Sequence, residues 1–205
     1  MPLRFLALGD SYTIGEGVPL SEGWPAQLSA LLNESGLLMD EPVIVAKTGW
    51  TTEELLSSMH AADLAPPYDL VTLLVGVNNQ YRKQDIQRYE KEFDTLLTNT
   101  INLAGGDSQK TIVLSIPDWS VTPYASDQSD HASLIDVART LDKYNEINCR
   151  LAYRRGCTYV DVTGLTREHK NDPHAWAEDG LHPATLMYTQ WARKLQPIVL
   201  RLFKG

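Results

Sequence analysis

The chain is poor in cysteine, has no long apolar run and carries fewer basic than acidic residues, and each shortage excludes something. Its two cysteines, Cys149 and Cys157, are too few for a disulfide framework and lack the paired spacing of a zinc site, so they read as free thiols. No stretch approaches the roughly 20 apolar residues that span a bilayer. The apolar run from Leu3 to Leu8 is too short for the core of a secretory signal and leads directly into Gly9-Asp10-Ser11, so a cytoplasmic location is expected. With 18 Lys and Arg against 26 Asp and Glu, and a formal charge of -8, the basic footprint needed by a partner of nucleic acid or of an anionic membrane is missing. Arg150, Arg154 and Arg155 thicken the positive charge locally, but their spacing along an expected helix reads as a solvated face. Two familiar site signatures are absent as well. There is no G-x-S-x-G elbow, and Gly15-Glu16-Gly17 does not extend into a G-x-G-x-x-G fingerprint, because Leu20 stands at the third glycine position behind Pro19. No metal-ligand pattern or cofactor motif is seen, so no cofactor is expected, and the oligomeric state is not legible.

What is present fits one domain over residues 1–205, since 205 residues with 43% hydrophobic content can bury a substantial core. Short apolar, β-branched runs recur at Leu3 to Leu8, Val43 to Ala46, Leu70 to Val75, Thr111 to Ile116 and Thr158 to Val162, as buried parallel strands do. Between and after them, helical apolar spacing runs from Trp24 to Leu38, Thr52 to Leu64, Ile86 to Leu103, Leu134 to Tyr153 and Leu186 to Phe203. This alternation predicts an α/β protein, a three-layer α/β/α sandwich on a parallel sheet with right-handed crossovers. Thr51 or Thr52 ahead of Glu53 and Glu54 reads as a helix cap, and Gly36 and Gly156 sit where helices should stop. Residues 117–130 and 163–183 resist assignment to either element. Long loops beyond strand ends of an open α/β sheet usually build the ligand site, so the site is expected there.

Ser11 follows the first strand and could serve as a nucleophile or merely cap a turn. A serine hydroxyl attacks only when a base takes its proton, which turns attention to the five histidines. His60 falls in a helix, and His131, His169 and His174 lie in polar surroundings without a partner pattern, so all four read as surface residues. His182 differs because Asp179 stands three residues before it in Asp179-Gly180-Leu181-His182-Pro183. A turn there lets the carboxylate accept from the ring Nδ1 and leaves Nε2 for Ser11. Acyl transfer also needs donors for the developing oxyanion. Gly49 after the second strand and Asn78 after the third supply a backbone N–H and a side-chain amide, and parallel strands bring those ends to one edge.

These residues resemble the ordered blocks of the SGNH hydrolases, also called the GDSL lipase and esterase family. Gly9-Asp10-Ser11 with Thr13 and Gly15 resembles the first block, Gly49 the second, Gly76-Val77-Asn78 the third and Asp179 to Pro183 the fifth. The resemblance implies a flavodoxin-like, five-stranded parallel sheet, an oxyanion hole of the Ser11 and Gly49 N–H groups with the Asn78 amide, and a triad of Ser11, Asp179 and His182. The family's third block usually ends in Asn-Asp, whereas here Asn79 follows Asn78. That departure is read as touching a supporting hydrogen bond or a substrate contact. Asp10 matches the family pattern and is read as structural. Tyr12, Trp50, Tyr81, Trp119 and Tyr124 adjoin the expected site and are possible pocket residues. The expected function is a serine esterase acting on small soluble carboxylic esters through an acyl-enzyme. A thioesterase or acyltransferase using the same residues, or a catalytically silent ligand- or carbohydrate-binding module, are the alternatives.

Overall fold

A computed structural model describes residues 1–128 and 131–204. Strands β1 (Phe5–Gly9), β2 (Val43–Ala46), β3 (Leu70–Leu74), β4 (Thr111–Leu114) and β5 (Thr158–Val160) form one sheet in the order β2-β1-β3-β4-β5. Every neighbouring pair is parallel, with Leu8 facing Val45 on one side and Leu73 on the other. The apolar runs thus become strands as expected, with ends shifted by one or two residues. The central strands β1, β3 and β4 are buried throughout, as parallel strands covered on both faces must be. At the sheet edge β2 is partly open, and Val43 keeps 41% of its surface.

Helices α1 (Ser11–Ile14), α2 (Trp24–Glu34), α3 (Thr52–Ala61), α4 (Val77–Tyr81), α5 (Ile86–Leu103), α6 (Pro123–Gln128), α7 (His131–Arg155), α8 (Thr163–Glu168) and α9 (Thr185–Lys204) complete the chain. The long helices fall into two packed groups, α2 against α9 and α5 against α3 and α7. Large side chains knit each group to the sheet or to itself: Trp24 packs on Phe5 at 6.3 Å between ring centres, and Tyr89 of α5 meets Tyr144 of α7 at 4.2 Å. The expected helix stops hold, since α2 ends before Gly36 and α7 before Gly156. Thr51 is the cap of α3 and forms a reciprocal box with Glu54, whose side chain accepts the Thr51 N–H at 2.8 Å. Arg150 and Arg155 do more than face solvent. They pair with Glu90 and Asp94 of α5, at 3.0 and 2.8 Å.

The two segments without an expected assignment contain short helices. Residues 117–128 hold a 3₁₀ turn over Trp119–Val121 and then α6, while 163–183 hold α8 and a second 3₁₀ turn over Pro173–Ala175. Residues 129 and 130, the end of the first segment, lie outside the described residues. Both segments bury apolar side chains such as Trp119 and Trp176 and are also fastened by buried polar groups. Asp118, 1% exposed, accepts from Ser120 and from the Arg167 guanidinium at 2.7 Å, and the Ser115 hydroxyl accepts the N–H groups of Val162 and Thr163.

Candidate active site

Ser11 is the first residue of α1, directly beyond β1. Asp10 caps this short helix, its Oδ1 accepting the Tyr12 N–H at 3.1 Å. The carboxyl is fully buried and its second oxygen has no partner. Burial pushes its pKa up from 3.8 to about 7, against the pull of hydrogen bonds from the backbone at Tyr12 and Gly76.

Two glycines shape the turns beyond β2 and β3. Gly49 has φ 86°, a region L side chains rarely occupy. Gly76 has φ 134°, and a Cβ there would press into Ile116 at 2.7 Å and the Tyr89 ring at 3.1 Å, so the backbone turns sharply into α4 against the core. That turn delivers Asn78, whose amide Nδ2 donates to the Trp50 carbonyl at 3.0 Å. An amide carries two N–H groups, so one remains available to another acceptor. Asn79 points the other way. It is fully buried, its Oδ1 accepts the Thr52 N–H at 3.1 Å and its Nδ2 donates to the Thr52 hydroxyl at 2.7 Å and to Gln84. Of the two readings of this departure from the family pattern, the geometry is that of a supporting hydrogen bond.

Asp179 and His182 lie in a tight turn of the 176–184 segment. His182 Nδ1 is 2.6 Å from Asp179 Oδ2, and Asp179 Oδ1 accepts the N–H groups of Leu181 and His182, each at 2.9 Å. Partial burial pushes the Asp179 carboxyl upward, but these hydrogen bonds from the ring and from both amides outweigh it and hold the group below its ordinary range. The imidazole is 9% exposed at its side chain and the carboxylate 42%, so the ring faces inward with its partner behind it. Tyr12 lies against the ring at 5.5 Å between centres. Burial, reinforced by the nearby carboxylates Asp10, Asp118 and Asp179, raises the Tyr12 pKa and keeps it a neutral phenol.

Ser11, Gly49, Asn78 and His182 line one cleft of about 250 Å³. Its walls include Tyr12, Tyr81, Trp119 and Tyr124, four of the five aromatics singled out in the sequence. Trp50 does not line it. Its side chain is partly buried against the core, and its contribution is the carbonyl that accepts from Asn78. Thr48, Val77 and Leu181 also line the cleft and were not anticipated, although each adjoins a motif residue. Trp119 is fixed by its Nε1–H donating to Gln80 at 2.9 Å, and Tyr81 meets its face edge-on at 5.6 Å. His60 lies in the last turn of α3, His169 Nδ1 stands 3.8 Å from Asp172, and the His174 N–H donates to the Asp172 side chain; none of the three lines the cleft. The side chain of His131 lies outside the described residues.

A five-stranded parallel sheet in the order β2-β1-β3-β4-β5, with Ser11, Gly49, Asn78 and His182 around one cleft and Asp179 bonded to the ring, defines the class as a flavodoxin-like α/β sandwich. The model of the GDSL-like lipase/acylhydrolase family matches residues 7–190, and the chain belongs to that family. Solved structures agree on the fold. TesA superposes with a TM-score of 0.74 at 17% identity, covering 98% of this chain and 99% of its own. A lipase/acylhydrolase from Enterococcus faecalis gives 0.74 at 16%, covering 97% and 95%. Axe2, an acetylxylan esterase from Geobacillus stearothermophilus, gives 0.69 at 22%, covering 98% and 93%. Among curated proteins, none matches the chain in sequence. No helix among the described residues is long and apolar enough to cross a membrane.

Proposed function

We propose that this protein is a serine esterase that hydrolyses small carboxylic esters through an acyl-enzyme intermediate. The observation that carries the reading is the 2.6 Å contact of His182 Nδ1 with Asp179, made by an imidazole that shares its cleft with Ser11, Gly49 and Asn78. Asp179 fixes the tautomer, so Nε2 is the nitrogen left to act as base. Ser11 Oγ attacks the ester carbon while His182 takes its proton, and the carbonyl oxygen becomes an oxyanion. The N–H groups of Ser11 and Gly49 and the free N–H of the Asn78 amide receive that charge. When the intermediate collapses, the C–O bond to the alcohol breaks and His182 returns the proton to the departing oxygen. Water, deprotonated by the same ring, then attacks the acyl-enzyme; the second tetrahedral intermediate releases the acid, and Ser11 recovers its proton.

The cleft volume of about 250 Å³ lies just under the roughly 300–1,000 Å³ of pockets that engulf drug-sized ligands, which favours a short acyl group or a compact alcohol. Fluorophosphonate labelling of Ser11, with turnover of an activated acetate ester, tests the proposal. Labelling lost in Ser11→Ala, together with ester hydrolysis by the parent, supports it; a folded parent that neither labels nor hydrolyses overturns it. Parallel assays with a thioester, and with added alcohol as acceptor, determine which leaving group and acceptor are preferred.

A further inference from the structure

The turn after β2 is gripped from α4 at more points than an ordinary surface turn needs. Asn78 holds the Trp50 carbonyl, Asn79 holds both the N–H and the hydroxyl of Thr52, and Arg82, four residues after Asn78 at the end of α4, holds the Gly49 carbonyl through Nη2 at 2.6 Å. The other end of the guanidinium, Nη1, lies 3.2 Å from Glu54 Oε2. That carboxylate also closes the capping box of α3, so the residue that starts the helix after the turn anchors the arginine that fixes the turn. The bond to Gly49 is made by a side chain that does not line the cleft.

Gly49 is the one residue of this turn with no Cβ to limit rotation about its backbone bonds, and it is the residue whose N–H faces the cleft in the proposed mechanism. The Gly49 N–H and carbonyl belong to adjoining peptide units linked only through φ and ψ of Gly49, so a glycine less restrained on its carbonyl side would sample rotations in which that N–H points elsewhere. We infer that Arg82 is a positioning residue: by holding the Gly49 carbonyl it keeps the Gly49 N–H beside the Asn78 amide, ready for the oxyanion. A guanidinium suits the task because its rigid fork reaches carbonyl and carboxylate together, which a lysine ammonium does not reproduce. The inference rests on the esterase reading for its kinetic consequence, but not for its structural content. Arg82 is 52% exposed at its side chain, and an exposed ion pair adds little to folding, so stability and positioning can be separated at this residue.

The experiment compares the parent with Arg82→Ala and Arg82→Lys by ester kinetics, thermal melting and the amide resonance of Gly49. In Arg82→Ala, kcat should fall by about 10- to 100-fold with KM nearly unchanged, the melting temperature should hold, and added guanidinium should restore part of the rate. Arg82→Lys should recover little. The Gly49 amide should shift and exchange faster with solvent in both variants. A kcat within about twofold of the parent in a folded variant, or an unmoved Gly49 amide, overturns the inference. If the parent itself turns over no ester, the esterase reading fails separately, and the Gly49 amide alone decides whether Arg82 braces the turn. Should Arg82→Ala fail to fold, Arg82→Lys carries the same comparison.

Discussion

On one side of the cleft the Gly49–Thr52 turn has one main-chain bond, Trp50 N–H to the Lys47 carbonyl at 3.2 Å, and is otherwise held by side chains of α4 and α3, whereas on the other side the 176–184 segment carrying Asp179 and His182 is held mainly by its own main chain. The first side depends on Asn78, Asn79, Arg82 and Glu54. The second closes on itself: Ala177 N–H donates to the His182 carbonyl at 2.8 Å, Gly180 to Ala177 at 2.9 Å, Ala184 to Ala175 at 2.8 Å, and Trp176 bridges Pro183 in antiparallel fashion. Main-chain bonds survive most substitutions and side-chain bonds do not. A single change beside His182 should therefore report on chemistry, while a single change beside Gly49 should report on geometry as well.

The sharpest test is Asp179→Asn. The amide oxygen can still accept from Leu181 and His182, so the turn should persist, but the ring loses its anionic partner and kcat should drop by about 10³- to 10⁴-fold with little change in melting temperature. A large loss of stability would show that the segment leans on this carboxylate after all. Asn78→Ala comes next. Removing a donor of this kind costs about 10²- to 10³-fold in kcat, and the same change strips the Trp50 carbonyl of its donor, so the melt should register a loss of about 1 kcal/mol as well. Equal melting temperatures for these two variants would break the contrast between the sides.

Smaller effects come from the supporting groups. Asn79→Asp, which restores the usual family residue, places a carboxylate against Gln84 Oε1 and against a Thr52 hydroxyl that already donates to Glu92 at 2.5 Å. The buried donor to Gln84 disappears, and the change should cost about 1–3 kcal/mol by denaturant melting. The loss should be greater at pH 8 than at pH 5, where the new acid can hold its proton. Asp10→Asn probes the buried cap of α1 between the two sides. The native carboxyl holds its proton up to about pH 7 against 3.8 unfolded, so between those values the folded state binds more protons and the parent loses stability as pH rises. The asparagine variant lacks that loss; its melting temperature relative to the parent should climb between pH 4 and pH 7 and then level. A flat difference would mean that Asp10 does not titrate in that window.

Much of the fold was legible because β1 to β5 are short apolar runs separated by long amphipathic helices, and the Ser11, Gly49 and Asn78 positions follow directly from where those strands end. The Asp179–His182 pair was legible because its contact spans three residues. Arg82, Glu54 and Asn79 were not, since their bonds join positions 27 to 33 apart and only the folded chain brings them together. Helices α4, α6 and α8 escaped for a different reason: with five or six residues each they show no apolar period, and buried polar anchors such as Asp118 and Ser115 hold the segments around α6 and α8. Trp50 was misplaced because a side chain adjoining a motif glycine can turn away while its carbonyl does the work.

The segment between β4 and α7 supplies Trp119 and Tyr124 to the cleft but none of Ser11, Gly49, Asn78, Asp179 or His182. Its tie to the histidine turn, Tyr124 N–H to the Gly180 carbonyl at 3.0 Å, is indifferent to the side chain at position 124. A substitution at position 124 can therefore reshape the wall of the cleft while leaving that tie to the histidine turn in place.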